Sequence, residues 1–151
     1  MNADSPTSQP NARLVINLTA LRRGIVAGLV VIVPVSLIVA LVSNRHVSGY
    51  GGWLFVAFVA TLYGYATAGY GAARTQPEAP LSHGILAGLG ALFGWLLVRL
   101  AVPLAARHPL RFGIVDVITH ATFAVTLGAL GGLFAARRGP TAIRPERPAD
   151  E

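Results

Sequence analysis

The chain has 151 residues, 54% of them hydrophobic before its 17 glycines are counted, and only 12% are charged. A soluble domain of this size exposes more surface than so few charges can cover, so a water-soluble globule is excluded. The net charge of +6 comes from arginines set singly or in pairs at the ends of apolar runs; no basic stripe with interleaved aromatics exists, which excludes nucleic acid as a partner.

In chain order, residues 1–11 are polar and are expected to form a disordered tail. Leu14, Val15, Leu18 and Leu21 then fall on one helical face, flanked by Arg13, Arg22 and Arg23. This stripe is either a short helix lying in the membrane interface or a simple extension of the first span. A bilayer core of about 30 Å needs roughly 20 apolar residues of helix. Four stretches meet that length: 24–42, 51–73, 84–104 and 112–136. The first contains Pro34 and Ser36, the third Arg99, and the fourth Asp116 and His120. The first is too long for a cleaved signal peptide, and no small-x-small site follows Val42. Short polar joints predict antiparallel neighbours. Residues 12–138 are therefore expected to form one all-α, integral membrane four-helix bundle, with 139–151 as a second disordered tail.

Arginine placement sets the expected orientation. With the N-terminus in the cytoplasm, Arg13, Arg22, Arg23, Arg74, Arg137, Arg138, Arg144 and Arg147 lie inside, against Arg45, Arg107 and Arg111 outside. Both termini are thus expected to be cytoplasmic, in a multi-pass protein of the cell membrane. Tyr50, Trp53 and Phe55 suit an aromatic belt at the outer boundary. The basic set is all arginine, and the chain is rich in Ala, Gly, Val and Pro, as expected of a GC-rich bacterial genome.

The first and third spans match at an offset of 60: Gly24, Ile25, Ala27, Gly28 and Leu29 recur as Gly84, Ile85, Ala87, Gly88 and Leu89. The second and fourth spans both end in Ala-Ala-Arg, at Ala72, Ala73, Arg74 and at Ala135, Ala136, Arg137. Two repeated helical hairpins would explain this, as would chance in helices so rich in Gly, Ala and Leu. The pairs Gly24/Gly28, Gly84/Gly88 and Gly128/Gly132 have the spacing of close helix contacts, and Gly64, Ala68 and Ala72 form a similar ridge.

Intramembrane ionisable residues are costly and mark candidate sites. Arg99, Asp116 and His120 all fall within roughly 10 Å of the outer boundary. Asp116 and His120 share a helix face, and Arg99 is placed to meet Asp116. The cluster is either an ion pair locking the third and fourth spans together or a proton or ion relay through His120. His46, His108, Asp116 and His120 have metal-ligand chemistry, but their spacing matches no metal motif, so neither a metal nor a cofactor is expected. Ser36, Thr61, Tyr63, Tyr65, Thr122 and Thr126 are expected to bond to backbone or to neighbouring helices. Trp95 reads as a packing residue, and Glu78 and His83 as ordinary loop residues at the inner face.

Gly69, Gly71, Ala72, Ala73 and Arg74, then a short polar loop, then His83-Gly84 and Gly88, resemble the small four-helix bacterial membrane proteins of the YrzE-like group, over roughly residues 1–105. That resemblance implies four helices; the group has no assigned activity and lends no catalytic residue. Without lysine or cysteine there is no P-loop, Schiff base, thiolate or disulfide. No His-Glu-x-x-His or Gly-x-Ser-x-Gly occurs, and no enzyme is expected. The sequence thus points to a non-enzymatic protein of the lipid bilayer that acts through helix contacts, as a homo-oligomer or as an accessory subunit of a larger membrane complex. The alternative is a small transporter or channel with the polar cluster at its outer mouth.

Overall fold

A computed structural model describes residues 16–43, 50–106 and 113–138. They form four helices: α1 (Leu18–Ser43), α2 (Tyr50–Arg74), α3 (Pro80–Ala106) and α4 (Ile114–Arg137). No strand occurs among them. All four helices are long and apolar enough to cross a membrane, and a helix satisfies its own backbone in lipid. The chain is thus built as a multi-pass membrane protein. The expected tails, and Leu14, Val15, Arg45, His46, Arg107, His108 and Arg111, lie outside the described residues. We call the end where α1 begins and α4 finishes the terminal end, and the opposite one the far end.

Two helices start earlier than the apolar runs suggest, at Leu18 and Pro80 rather than Gly24 and Gly84, and local chemistry explains both. Asn17 caps α1: its Oδ1 accepts the backbone N–H of Thr19 at 3.0 Å and of Ala20 at 3.2 Å, two donors with no partner inside the helix. Leu18 and Leu21 consequently belong to one continuous α1. Pro80 opens α3, where a missing N–H costs nothing and the fixed φ suits the helix. α4 starts later than expected, at Ile114, behind the extended Gly113.

The cap also ties the terminal end together. Asn17 Nδ2 donates to Gln76 Oε1 at 3.2 Å, and the Asn17 N–H donates to His83 Nε2 at 3.2 Å. His83 is no loop residue: it lies in the first turn of α3 and is fully buried. Its Nδ1 meets the Ala79 carbonyl at 3.0 Å. An N–H at Nδ1 and a lone pair at Nε2 satisfy both contacts, so the ring serves as a neutral imidazole. Replacing Asn17 by alanine should cost about 1 kcal/mol, read as a lower unfolding midpoint in detergent. An unchanged midpoint would show that the cap is dispensable.

α1 packs on α2 and α3, α4 packs on the same two, and α2 touches α3; α1 and α4 do not touch among the described residues. Small residues permit the close approach. A Cβ on Gly24 would stand 2.5 Å from the Ala68 carbonyl and 2.6 Å from the Ala72 Cβ; one on Gly28 would stand 2.8 Å from both the Ala68 Cβ and the Gly64 carbonyl. The other hairpin repeats this pattern 60 residues on. Gly84 backs onto Gly128 and Gly132, and Gly88 onto Ala124 and Gly128. In this repeat Gly64, Ala68 and Ala72 of α2 therefore correspond to Ala124, Gly128 and Gly132 of α4, and the Ala-Ala-Arg ends do not superimpose in that register. An exact two-fold would bring α1 against α4 as it brings α2 against α3, so the whole bundle departs from one.

The core holds Ile32, Tyr65, Ala68, Ala72, Ala87, Ala91, Leu92, Trp95 and Ala124. Large apolar side chains such as Val30, Phe55, Phe93, Leu104 and Phe134 point outward instead, as lipid requires. Trp53 is also exposed, in keeping with an aromatic belt.

Candidate functional site

The far end brings Arg99, Asp116 and His120 together. Asp116 lies in the first turn of α4, where the helix dipole favours a carboxylate. Its Oδ2 is 2.8 Å from an Arg99 terminal nitrogen on α3. His120 stands one turn further along α4, with Nδ1 at 2.9 Å from the Asp116 carbonyl and 3.2 Å from its Oδ1. Both partners can only accept, so Nδ1 carries the hydrogen in this arrangement. Nε2 is then left with a lone pair when the ring is neutral.

Two aromatics complete the group. Trp95, one turn before Arg99 on α3, stacks flat on His120, with centroids 4.2 Å apart and planes at 14°. The Arg99 guanidinium also lies 5.1 Å from the Trp95 ring centroid, within cation–π range. Phe58 of α2 meets His120 edge-on at 6.3 Å. Trp95 therefore does more than pack, because it fixes the imidazole plane. Its spacing of four from Arg99 was the available signal.

Arg99, His120, Trp95 and Phe58 border one part of an open cavity of about 460 Å³ to which all four helices contribute lining residues, within the usual range of ligand sites. Ser36 and Val39 border it from α1, Thr61 from α2, Val98 and Val102 from α3, and His120 from α4. One turn nearer the terminal end on each helix lie Ile32, Tyr65, Ala91 and Ala124, all buried. They form a buried layer next to the cavity, outside its lining. Most hydroxyls in the spans bond to their own helix: Thr61 to the Ala57 carbonyl, Thr122 to that of Ile118, and Thr126 to that of Thr122. Tyr63 is exposed. Tyr65 is the exception, since its hydroxyl is buried with no hydrogen-bond partner. A helical side chain leans toward its helix N-terminus, which for Tyr65 is the far end.

No protein-family model matches the chain, and neither a curated protein nor a solved structure matches it. The site must be read from its own geometry. It joins a charge-neutral Arg–Asp pair, an imidazole with one nitrogen held and one open, and apolar walls. Such a pocket can bind a small molecule with one polar end and can exchange a proton at His120. Among the described residues no three metal-ligating side chains gather. The six candidate packing glycines, Gly24, Gly28, Gly84, Gly88, Gly128 and Gly132, all lie at contacts within the chain.

Proposed function

We propose that this protein is a small non-enzymatic membrane protein that binds a small molecule in its far-end cavity, as the substrate site of a carrier. The observation that carries this reading is the 460 Å³ cavity bordered by Arg99 and His120. The internal repeat supports it. At the offset of 60, Arg99, Asp116 and His120 correspond to Val39, Val56 and Ala60, which line a small apolar groove at the far end of the first hairpin. Among the described residues that hairpin makes the same small-residue contacts with no ion pair. The polar cluster is thus a feature added to the second hairpin, beyond what closing a hairpin requires. The repeated contacts also favour a duplicated hairpin as the origin of the chain.

The other reading, an accessory or self-associating subunit, rests on little soluble mass, on the absence of mid-membrane charge and on the glycine ridges. Those ridges are occupied inside the chain and lend it no support. On the arginine distribution, both termini are cytoplasmic and the cavity opens outward.

The chain has no cysteine, so a single Ser36→Cys variant reports on the cavity directly. A membrane-impermeant thiosulfonate added from outside should label it, while Val30→Cys, which faces lipid, stays unlabelled. A Ser36→Cys variant inert from outside would sink the outward-open binding site, and labelling only from inside would reverse the orientation.

A further inference from the structure

We propose that the cavity takes up a lipophilic carboxylate together with one proton, the carboxylate on the Arg99 guanidinium and the proton on His120 Nε2. This rests on the binding reading above and adds the class of ligand and its coupling.

The argument is one of charge balance. Arg99 and Asp116 cancel each other, and a neutral His120 leaves the empty pocket without net charge. An anion entering alone would bring an uncompensated charge into a site walled by apolar side chains, which is strongly disfavoured. A proton on Nε2 removes that imbalance. It comes from water, adds to the open lone pair, and breaks no other bond. The resulting imidazolium keeps its Nδ1–H on Asp116 and its flat contact with Trp95.

The surroundings of His120 fit this coupling. Its charged neighbours are Asp116 on its own helix and Arg99 on α3; α2 presents Phe58 to it, and the nearest titratable group on α2, Tyr65, lies one turn beyond Thr61, outside the cavity lining. From α1 the cavity receives Ser36 and apolar side chains only. A guanidinium has five N–H donors, and the contact with Asp116 engages one terminal nitrogen, so donors remain for a ligand carboxylate. Val35, Val39, Val98 and Val102 would cover an apolar body. An inorganic anion would leave those walls wet, which is why the ligand is a carboxylate with a hydrocarbon part.

Calorimetric titration of the full-length protein in lipid nanodiscs tests this, with hexanoate as probe and two buffers of different ionisation enthalpy. At alkaline pH each hexanoate should bind with uptake of close to one proton. By linkage its Kd should then rise about tenfold per pH unit. His120→Gln should bind more weakly, without proton uptake and with a flat pH profile, and Arg99→Gln should bind at least about tenfold more weakly. Hexanoate bound by the wild type with no proton uptake overturns the proposal and leaves the binding reading standing. If neither hexanoate nor the neutral analogue hexanol binds, both fall. The wild-type proton count decides the matter even where a variant fails to fold. Palmitate supplied in the disc separates the sources: if it displaces hexanoate with the same proton uptake, the bilayer supplies the ligand, and if it does not, the ligand comes from water.

Discussion

Gly128→Val is expected to destabilise the bundle by about 3 kcal/mol. Gly128 lies where three helices meet. Its own Cβ would stand 2.6 Å from the Gly84 carbonyl and 3.3 Å from the Gly88 Cα, and its carbonyl abuts both Gly69 and Gly84. The obstacles are backbone atoms, which move only if whole helices separate. Lipid offers little hydrophobic compensation for such a separation, so the lost dispersion contacts go unreplaced. Two controls isolate the cause. Gly90→Ala meets only the Ile25 side chain, which can rotate away, so a smaller loss follows. Gly52→Ala meets nothing within 4 Å, and alanine's better helix propensity makes it neutral or stabilising by up to about 1 kcal/mol. Denaturant unfolding in mixed micelles, followed by circular dichroism, ranks the three. A Gly128→Val protein as stable as Gly52→Ala would mean that α3 and α4 do not approach this closely.

The number of spans was legible because bilayer thickness imposes one length on every helix, and the loops between the runs were short. The helix starts were legible only in part. Asn17 and Pro80 are recognisable start signals, but each lies outside the apolar run that defined its span. The Arg99–Asp116 pairing followed from depth, since both lie close to the joint between α3 and α4. The role of His83 did not follow, because its partner Asn17 is 66 residues away and nothing local announces it. Trp95 was hidden for another reason: a tryptophan in an apolar run looks the same whether it packs against leucine or supports an imidazole. The repeat register relating α2 to α4 was obscured by the Ala-Ala-Arg match, a similarity at helix ends that packing does not use.

Asp116→Val should cost about 2 kcal/mol, and adding Arg99→Val should recover most of it. The single change strands a guanidinium in an apolar setting, where an unpaired charge is far worse than no charge. The loss stays below the full penalty for a buried pair because the two side chains are 41% and 35% exposed. The double variant gives the second hairpin the residues that the first already uses at Val39 and Val56, in a hairpin of matching small-residue contacts. It should therefore fold within about 1 kcal/mol of the wild type. If the pair served only to lock α3 to α4, the double variant would keep whatever activity the protein has. If Arg99 receives a ligand, the double variant is stable and fails to bind. Equilibrium unfolding of the two single variants and the double, with hexanoate titration of each folded protein, separates stability from binding. A double variant that binds hexanoate as the wild type does would reduce the pair to a structural strut. One less stable than both singles would instead show that the second hairpin cannot close without its charges.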